Sequence, residues 1–339
     1  MVREKRRQVA EAPCASMVGV LGVALVAGAT IAASKRHDAG LGGSSLAEDA
    51  TRGQRVSPAV PWRLAAAARC MAAPYRWAES GQQPCLDCAA CGEDAFFVAR
   101  PTAVSASIGI ADGVGGWADK GVSSADFAVG LMGKCSEVAE SPVVGADPKR
   151  LLAEGYERLL AIDGGAPTGS STACVLTLDR RSGMLKVANL GDSSALLIRS
   201  ADLAVDLESE AQWHEFNLPY QLEGPENGFV NPHADQPDMA DEYSAKVREG
   251  DLVILATDGV LDNLFRDEVL DLVREAPSAD VGDIADTLVR RSWERSRSLQ
   301  DTPFGIAARR AGHKHVGGKE DDITVVVGRV ERDLQRPEK

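Results

Sequence analysis

The clearest structural signal in this chain is the segment DLVILATDG, residues 251–259. Its centre, Leu252–Ala256, is continuously apolar over the length of a strand, which is typical of a β-strand buried on both faces. Thr257, Asp258 and Gly259 follow at once. A carboxylate at the end of a core strand costs free energy unless it is paired or bound to a metal. Asp258 is therefore the first candidate for a functional residue.

Three further junctions join carboxylates to an apolar run, with no basic residue directly beside them. An isolated Asp-Gly is more often a tight turn, so the prediction depends on the number of junctions. We expect these carboxylates to converge on a cation, and oxygen ligands with few His or Cys favour Mg²⁺ or Mn²⁺ over Zn²⁺. Glycine after aspartate would also let a backbone carbonyl approach the ion. The junctions are Glu93-Asp94 before residues 95–98, Asp112-Gly113 after residues 105–111, and Asp321-Asp322 before residues 323–327.

Segments typical of strands and of helices alternate in blocks from residue 92 onward. Short links such as Arg181-Ser182-Gly183 favour antiparallel hairpins over crossover connections. Asp147 with Pro148 predicts one helix start, and Ser278 is predicted to cap a second helix whose apolar face begins at Val281. The pattern indicates an α+β domain of antiparallel sheet covered by helices. Strands are predicted at Ser105–Ala111, Thr172–Asp179, Met184–Leu190, Ser194–Arg199, Asp251–Thr257 and Ile323–Arg329.

The composition is that of an ordinary globular protein with an acidic excess. The 339 residues include 50 Asp and Glu against 37 Lys and Arg, which gives a net charge of −13. This acidity argues against a broad nucleic-acid-binding surface, which would need a basic patch. Residues 1–91 carry a net charge of +4 and residues 92–339 a net charge of −17, so a domain boundary is expected near residue 92.

Residues 15–34 form a stretch without charge, ASMVGVLGVALVAGATIAAS. As a helix it would extend about 30 Å, close to the hydrocarbon thickness of a bilayer. A single membrane helix is the favoured interpretation. A cleaved signal or organelle-targeting peptide and a buried core helix are the alternatives. Basic residues on both sides leave the orientation in a membrane undecided.

The chain is divided into four segments on these grounds. Gly, Ser, Ala and Pro predominate after the hydrophobic stretch and predict a flexible linker before the folded domain. The segments are residues 1–36 as the N-terminal anchor or targeting region, 37–79 as the linker, 80–332 as the folded domain, and 333–339 as a tail.

Cys85, Cys88 and Cys91 have the spacing of part of a metal or iron–sulfur motif. The next cysteine is Cys135, so no fourth ligand lies nearby. A site with three thiols is incomplete by the usual pattern. Reduced, unligated thiols are therefore the favoured interpretation.

Six short motifs follow one another in the order found in one family of enzymes. They resemble the metal-dependent type 2C protein phosphatases over roughly residues 80–330. The resemblance implies a four-layer α-β-β-α sandwich, in which two antiparallel sheets are flanked by helices and the metal site lies at one end. The motifs are Gly92–Ala95, Ala111–Trp117, Gly169–Ala173, Asn189–Ser193, Ala256–Gly259 and Asp321–Thr324.

Other segments resemble one branch of this family, whose members are often associated with mitochondria or plastids. They are Gly115–Trp117, Phe216–Leu222, and Thr302–Phe304 with Gly317–Lys319. Together with the hydrophobic N-terminal stretch, they favour a membrane-associated protein of a mitochondrion or another organelle.

The resemblance implies hydrolysis of phosphoserine and phosphothreonine in proteins by a water activated between two Mg²⁺ or Mn²⁺ ions. Asp112, Asp258 and Asp321 would be the central catalytic residues. Asp112 would bridge both ions and the carbonyl of Gly113 would bind one of them. Asp258 and Asp321 would complete the shell of the other ion.

The remaining acidic residues of the motifs take supporting roles in the family pattern. Glu93 and Asp94 would act mostly through metal-bound waters, and Asp192 would serve a third, looser ion. Asp322 is expected to organise its turn instead of binding metal. The implied partners are phosphoprotein substrates, and we expect a monomeric catalytic domain that does not bind nucleic acid.

Two positions depart from the family pattern. Val114 stands where many members have a His thought to protonate the leaving group, and Ala89 where many have an Arg that grips the phosphate. Lys319 and His315 lie close to Asp321 in sequence and could supply positive charge. Solvated loop residues are the favoured interpretation of both.

Other functions fit the sequence less well. The departures would suit a catalytically weak or inactive, membrane-tethered binding module, but retention of every motif carboxylate favours an enzyme. Gly191–Ala195 is only distantly similar to the nucleophile elbow of serine hydrolases and lacks its last glycine. The sequence has no P-loop and no H-E-x-x-H motif, which argues against nucleoside triphosphatases and zincins.

Overall fold

A computed structural model of the chain describes residues 60–76, 91–141, 144, 146–275 and 280–334. Among these residues, no helix has the length and apolar character needed to cross a bilayer. The predicted membrane segment, residues 15–34, lies outside the described residues and stays a prediction. Cys85, Cys88, Ala89 and Ser278 also lie outside the described residues.

Antiparallel strands form the centre of the domain. The predicted strands 105–111 and 184–190 are confirmed at both ends, and the other four predicted strands are confirmed to within a few residues. The strands are β1 (Trp62–Met71), β2 (Ala95–Val98), β3 (Ser105–Ala111), β4 (Ser170–Ser171), β5 (Ala173–Asp179), β6 (Met184–Leu190), β7 (Ser194–Ile198), β8 (Val205–Glu208), β9 (Trp213–Glu215), β10 (Leu218–Pro219), β11 (Leu222–Glu223), β12 (Asp241–Lys246), β13 (Leu252–Ala256) and β14 (Ile323–Arg332).

The longer strands build two five-stranded sheets. One has the order β1-β14-β13-β7-β8 and the other the order β12-β6-β5-β3-β2. Every neighbouring pair is antiparallel, including β5 and β6 across the predicted turn at residues 181–183. The short strands β9 with β10 and β4 with β11 form two separate pairs.

Helices cover the outer faces of the two sheets. Asp147 caps its helix as predicted, since its side chain accepts the N–H of Arg150 at 3.1 Å. The predicted cap Ser278 is wrong, because Asp280 directly precedes Val281 and its carboxylate accepts the N–H of Gly282 at 2.8 Å. The helices are α1 (Ala125–Ala139), α2 (Pro148–Leu160), α3 (Asp258–Leu261), α4 (Arg266–Glu275), α5 (Val281–Ser296) and α6 (Pro303–Arg310), with 3₁₀ helices at Gly115–Lys120 and Pro237–Met239.

Three hydrophobic clusters separate four layers. α1 and α2 pack on the outer face of the β2–β3–β5–β6 sheet, and α4 and α5 pack on the outer face of the other sheet. The third cluster lies between the sheets. Strand β13 serves two clusters in alternation: Val253 and Leu255 face the space between the sheets, while Leu252, Ile254 and Ala256 face the helices. The α-β-β-α sandwich and the doubly buried strand are thus confirmed.

Strand β1 lies inside the segment 37–79 that the sequence predicts as linker. It pairs with β14 over its full length, from Trp62 opposite Arg332 to Met71 opposite Ile323. β1 consists mainly of alanine and has few large apolar side chains, so the sequence pattern does not indicate a strand there. The folded domain therefore begins by residue 62, and the predicted linker is wrong from that residue to residue 71.

A disulfide joins Cys70, near the end of β1, to Cys91, in front of β2. The prediction of unligated thiols is therefore wrong for Cys91. The partner could not be recognised from sequence spacing, because Cys70 stands outside the C-x₂-C-x₂-C pattern and becomes a neighbour only when β1 joins the sheet. Cys135 and Cys174 are free and buried.

Candidate active site

Five acidic segments meet at one end of the sandwich. In one sheet, Ala95 pairs with Ala111, so that the residues before β2 and after β3 share an edge. In the other sheet, Ala256 pairs with both Val325 and Ser194, which brings the residues after β13, before β14 and before β7 together. The carboxylates placed there are Glu93, Asp94, Asp112, Asp192, Asp258 and Asp321.

A hydrogen bond joins the sheets at this end: the Oδ2 atom of Asp94 accepts from the Thr257 hydroxyl at 2.9 Å. The two sheets also act on each other through charge, because burial, and next the carboxylate of Asp258, raise the pKa of Asp112. The structure thus brings the sequence-predicted site residues together, while their roles as metal ligands stay predictions.

Crowding of these carboxylates changes their acidity. Burial, and next the neighbouring carboxylates, raise the pKa of Asp94 and of Asp112 well above the ordinary range. The same causes raise the pKa of Asp192 to about 7 and that of Asp321 to about 6. Burial is also the largest single influence on Asp258, but the positive charge of Lys319 and the hydrogen bonds to this carboxylate together outweigh it and lower the pKa. A cluster of this kind favours the approach of a cation.

Lys319 supplies a positive charge within the cluster. Its Nζ atom lies 2.9 Å from Asp262 and 3.0 Å from Asp321, and it also contacts Asp258. The prediction that Lys319 is a solvated loop residue is therefore wrong. His315, the other residue considered for positive charge, contacts the carbonyl of Gly318 at 3.1 Å instead.

Asp262 is a member of the cluster that the motifs do not include. It follows Asp258 by one helical turn, and its N–H donates to the Asp258 carbonyl at 2.7 Å. Burial is the main cause that raises its pKa to about 8, and Asp258 adds to this. The i, i+4 spacing could have identified it once Asp258 was placed at the start of a helix.

The donor set suits a hard divalent cation. Asp94 Oδ1 and Asp258 Oδ1 are buried without a hydrogen-bond partner, and buried carboxylate oxygens in that state are costly. In the described part of the chain, no group of three or more His, Cys, Asp or Glu side chains is arranged so that it could hold a metal ion. Lys319 lies among the carboxylates instead. The chemistry of the side chains therefore fits Mg²⁺ or Mn²⁺.

Asp322 holds several segments together behind the site, whereas the sequence predicts only that it organises its own turn. Its carboxylate accepts the N–H of Ala73 at 2.7 Å, the N–H of Glu93 at 2.8 Å and the Nε–H of Arg76 at 3.1 Å. Arg76 also donates to Glu93 Oε2 at 2.7 Å. The motifs give no signal for Arg76, which reaches the site through the fold of the segment after β1.

The glycines after Asp112 and Asp258 serve close contact between backbones. A Cβ atom on Gly113 would lie 2.6 Å from the carbonyl oxygen of Glu93. A Cβ atom on Gly259 would lie 2.2 Å from the carbonyl oxygen of Asp322. Both distances are far below van der Waals contact, so that each junction can close only without a side chain. The prediction that the Gly113 carbonyl binds an ion is separate from this and stays a prediction.

A groove of about 500 Å³ opens beside the carboxylates. Trp213, Phe216 and Phe304 contribute apolar walls, and Asp192 and Asp258 contribute to its acidic end. The Trp213 indole N–H donates to Asp192 Oδ2 at 3.1 Å, which fixes one wall to the site. A groove with aromatic walls next to a polar centre is typical of substrate-binding sites.

Comparisons with known proteins agree with this geometry. The family model for stage II sporulation protein E (SpoIIE) matches residues 105–331. "Protein phosphatase PTC7 homolog fig" of Drosophila mojavensis is 38% identical over 248 residues, which cover 71% of this chain and 78% of that protein.

Two solved structures have a similar fold. The photosystem II phosphatase PBCP is 29% identical, with a TM-score of 0.65 over 80% of this chain and 100% of that chain. The catalytic domain of the serine/threonine protein phosphatase PstP, solved with two manganese ions, is 17% identical, with a TM-score of 0.50 over 80% of this chain and 99% of that chain. The second likeness concerns the fold alone.

Proposed function

The chain belongs to the PP2C-type family of protein phosphatases, and we propose that it hydrolyses phosphoserine and phosphothreonine in proteins with two divalent cations, Mg²⁺ or Mn²⁺. The observation that carries this proposal is the cluster of Asp112, Asp258 and Asp321, in which a buried carboxylate oxygen has no partner. Such ions, when bound, activate a water near neutral pH and offset the charge of the phosphate. The two manganese ions in the PstP structure support the choice of metal.

Hydrogen bonding divides the carboxylates between direct and indirect roles. Glu93 Oε1 accepts the N–H of Ser124 at 3.1 Å, and its Oε2 is paired with Arg76. With both oxygens engaged, Glu93 suits an indirect role through water. Asp94 keeps one oxygen without a partner, so it is the better placed of these two for a closer contact with an ion.

Leaving-group protonation has no side-chain donor at Val114. Its N–H donates to the Ser170 carbonyl at 3.0 Å, and its own carbonyl accepts the hydroxyl of Ser124 at 2.8 Å. We propose that water supplies this proton. The phosphorylated segment would lie in the groove of Trp213 and Phe304 beside the carboxylates.

The test is turnover of a phosphothreonine peptide by the full chain in detergent. We expect phosphate release with Mn²⁺, loss of release in excess EDTA, and a large loss in Asp258→Asn. Asp267→Asn, an exposed position on α4, is the matched control and should retain activity. Release that persists in EDTA or in Asp258→Asn would exclude the metal mechanism.

An alternative is a catalytically weak or inactive binding module, motivated by Val114 and Ala89. The same assay distinguishes the two. Tight binding of the phosphopeptide without phosphate release, in the presence of Mn²⁺, would favour the module.

We also propose that residues 15–34 anchor the protein in a membrane, with the mitochondrion or another organelle as its location, and that the catalytic domain is monomeric. The uncharged stretch of 20 residues supports the anchor. Membrane fractionation of the full chain after carbonate washing is the test. Recovery in the supernatant would exclude a spanning helix and favour cleavage of this segment.

A further inference from the structure

The Lys319 ammonium lies where three carboxylates converge. It pairs with Asp258, Asp262 and Asp321, although only Asp258 and Asp321 belong to the proposed metal ligands. The side chain of Lys319 is 18% exposed, and that of Asp258 is 10% exposed. Charges so poorly hydrated interact strongly, since little water screens them.

The backbone holds Lys319 in this position. Its N–H donates to Asn263 Oδ1 at 3.0 Å, and its carbonyl accepts from Asn263 Nδ2 at 2.9 Å. The same Nδ2 donates to the carbonyl of Gly259 at 2.9 Å, and Asn263 is fully buried. Lys319 is therefore fastened to the helix that carries Asp258 and Asp262, so the ion pairs are part of the fold.

We propose that Lys319 is an internal counter-cation of the metal-free enzyme, which must release Asp258 and Asp321 before a divalent cation can bind them. Asp262 retains the ammonium after this exchange. The inference rests on the proposed metal-dependent function. It means that the chain sets its own threshold of metal concentration, because every binding event must first break two ion pairs.

Removal of the ammonium has two opposite effects. The metal-free protein loses the charge that stabilises one buried and two partly buried carboxylates, and a charge left unpaired in such surroundings is destabilising. A divalent cation no longer competes with the Lys319 ammonium for Asp258 and Asp321, and it is no longer repelled by that positive charge. Lys319→Met removes the charge and keeps much of the apolar stem. Lys314→Met, at an exposed position of the same loop, is the matched control.

Isothermal titration with Mn²⁺ and thermal unfolding in EDTA test the proposal on the full chain. We expect Lys319→Met to bind Mn²⁺ roughly tenfold or more tightly than the wild type. Its melting temperature in EDTA should fall by at least about 4 °C, and saturating Mn²⁺ should remove most of this difference. Lys314→Met should match the wild type in both measurements.

If the wild type binds Mn²⁺ and Lys319→Met binds it equally or more weakly, this inference is overturned and the proposed function is left intact. Absence of Mn²⁺ binding by both proteins overturns the proposed function as well. If Lys319→Met does not fold, crystal structures of the wild type with and without Mn²⁺ decide the matter. Lys319 still paired with Asp258 beside a bound ion would overturn the proposal, and its withdrawal to Asp262 would support it.

Discussion

The carboxylate of Asp322 accepts the backbone N–H of Glu93 at 2.8 Å, although 229 positions separate the two residues in sequence. The same carboxylate accepts the N–H of Ala73 after β1. A single side chain thus joins the start of β14, the end of β1 and the segment before β2. Both N–H groups would otherwise be buried donors without a partner.

Asp322→Ala should therefore destabilise the metal-free domain by roughly 3–5 kcal/mol, because two backbone donors and Arg76 lose their acceptor together. Urea unfolding in EDTA gives the measurement. Glu320→Ala, at an exposed position two residues earlier, is the control and should change stability by less than about 0.5 kcal/mol. A loss below about 1 kcal/mol for Asp322→Ala would show that the three segments are held together by other contacts.

Gly259→Ala should damage the site without altering any charge. The new methyl group would lie 2.2 Å from the carbonyl oxygen of Asp322, so that the helix carrying Asp258 must move away from β14. We expect a loss of about 1–3 kcal/mol or more in stability and a clear loss of Mn²⁺ affinity. Gly133→Ala on α1 is the control, because nothing lies within 4 Å of its added Cβ. Unchanged stability and affinity in Gly259→Ala would contradict the close packing of these backbones.

The Cys70–Cys91 disulfide should stabilise the end of the domain that carries Glu93. The two cysteines are 21 residues apart. Closing a loop of that length lowers the entropy of the unfolded chain, which stabilises the folded state by about 3 kcal/mol. Thermal unfolding with and without dithiothreitol should show a lower melting temperature under reduction. The double variant Cys70→Ser, Cys91→Ser is the control, because its melting temperature should not respond to the reductant. An equal response of both proteins would place the effect elsewhere.

The sequence predicts the parts of this domain that depend on local pattern. Apolar runs identify the core strands, and Asp258 and Asp112 are recognised because each follows such a run directly. The order of the motifs then indicates the sandwich. The sequence predicts that the glycines after these aspartates let the backbone approach an ion. In the structure, these glycines allow two backbone segments to pack closely against each other.

Long-range pairs are what the sequence does not predict. Lys319 meets Asp258 across 61 positions, and Arg76 meets Asp322 across 246 positions. Asp321 lies only two residues after Lys319, but this neighbour alone does not suggest an ion-pair cluster that also includes Asp258 and Asp262. The acidic partners of Arg76, Glu93 and Asp322, are both distant in sequence. Strand β1 is missed for the same reason, since its strand character comes from pairing with β14 at the other end of the domain.

Acidic groups with raised pKa values should make the metal-free domain less stable as the pH rises. The pKa of Asp321 is about 6, that of Asp192 about 7 and that of Asp262 about 8, against 3.8 in an unstructured chain. At pH values between 3.8 and these raised pKa values, the native state binds more protons than the unfolded state. The free energy of unfolding therefore falls as the pH increases. Asp258, with a lowered pKa, and Lys319, with a raised one, stay charged in this range and add no slope.

The melting temperature in EDTA is therefore expected to be lower at pH 8 than at pH 6, and Asp262→Asn should flatten the upper part of this dependence. Metal binding reverses the trend, because the carboxylates must lose their protons to bind an ion. The stabilisation by saturating Mn²⁺ should accordingly grow from pH 6 to pH 8. Differential scanning calorimetry with EDTA and with Mn²⁺ measures both slopes. A melting temperature in EDTA that stays constant or rises from pH 6 to pH 8 would mean that the pKa values of these carboxylates are not raised in the metal-free site.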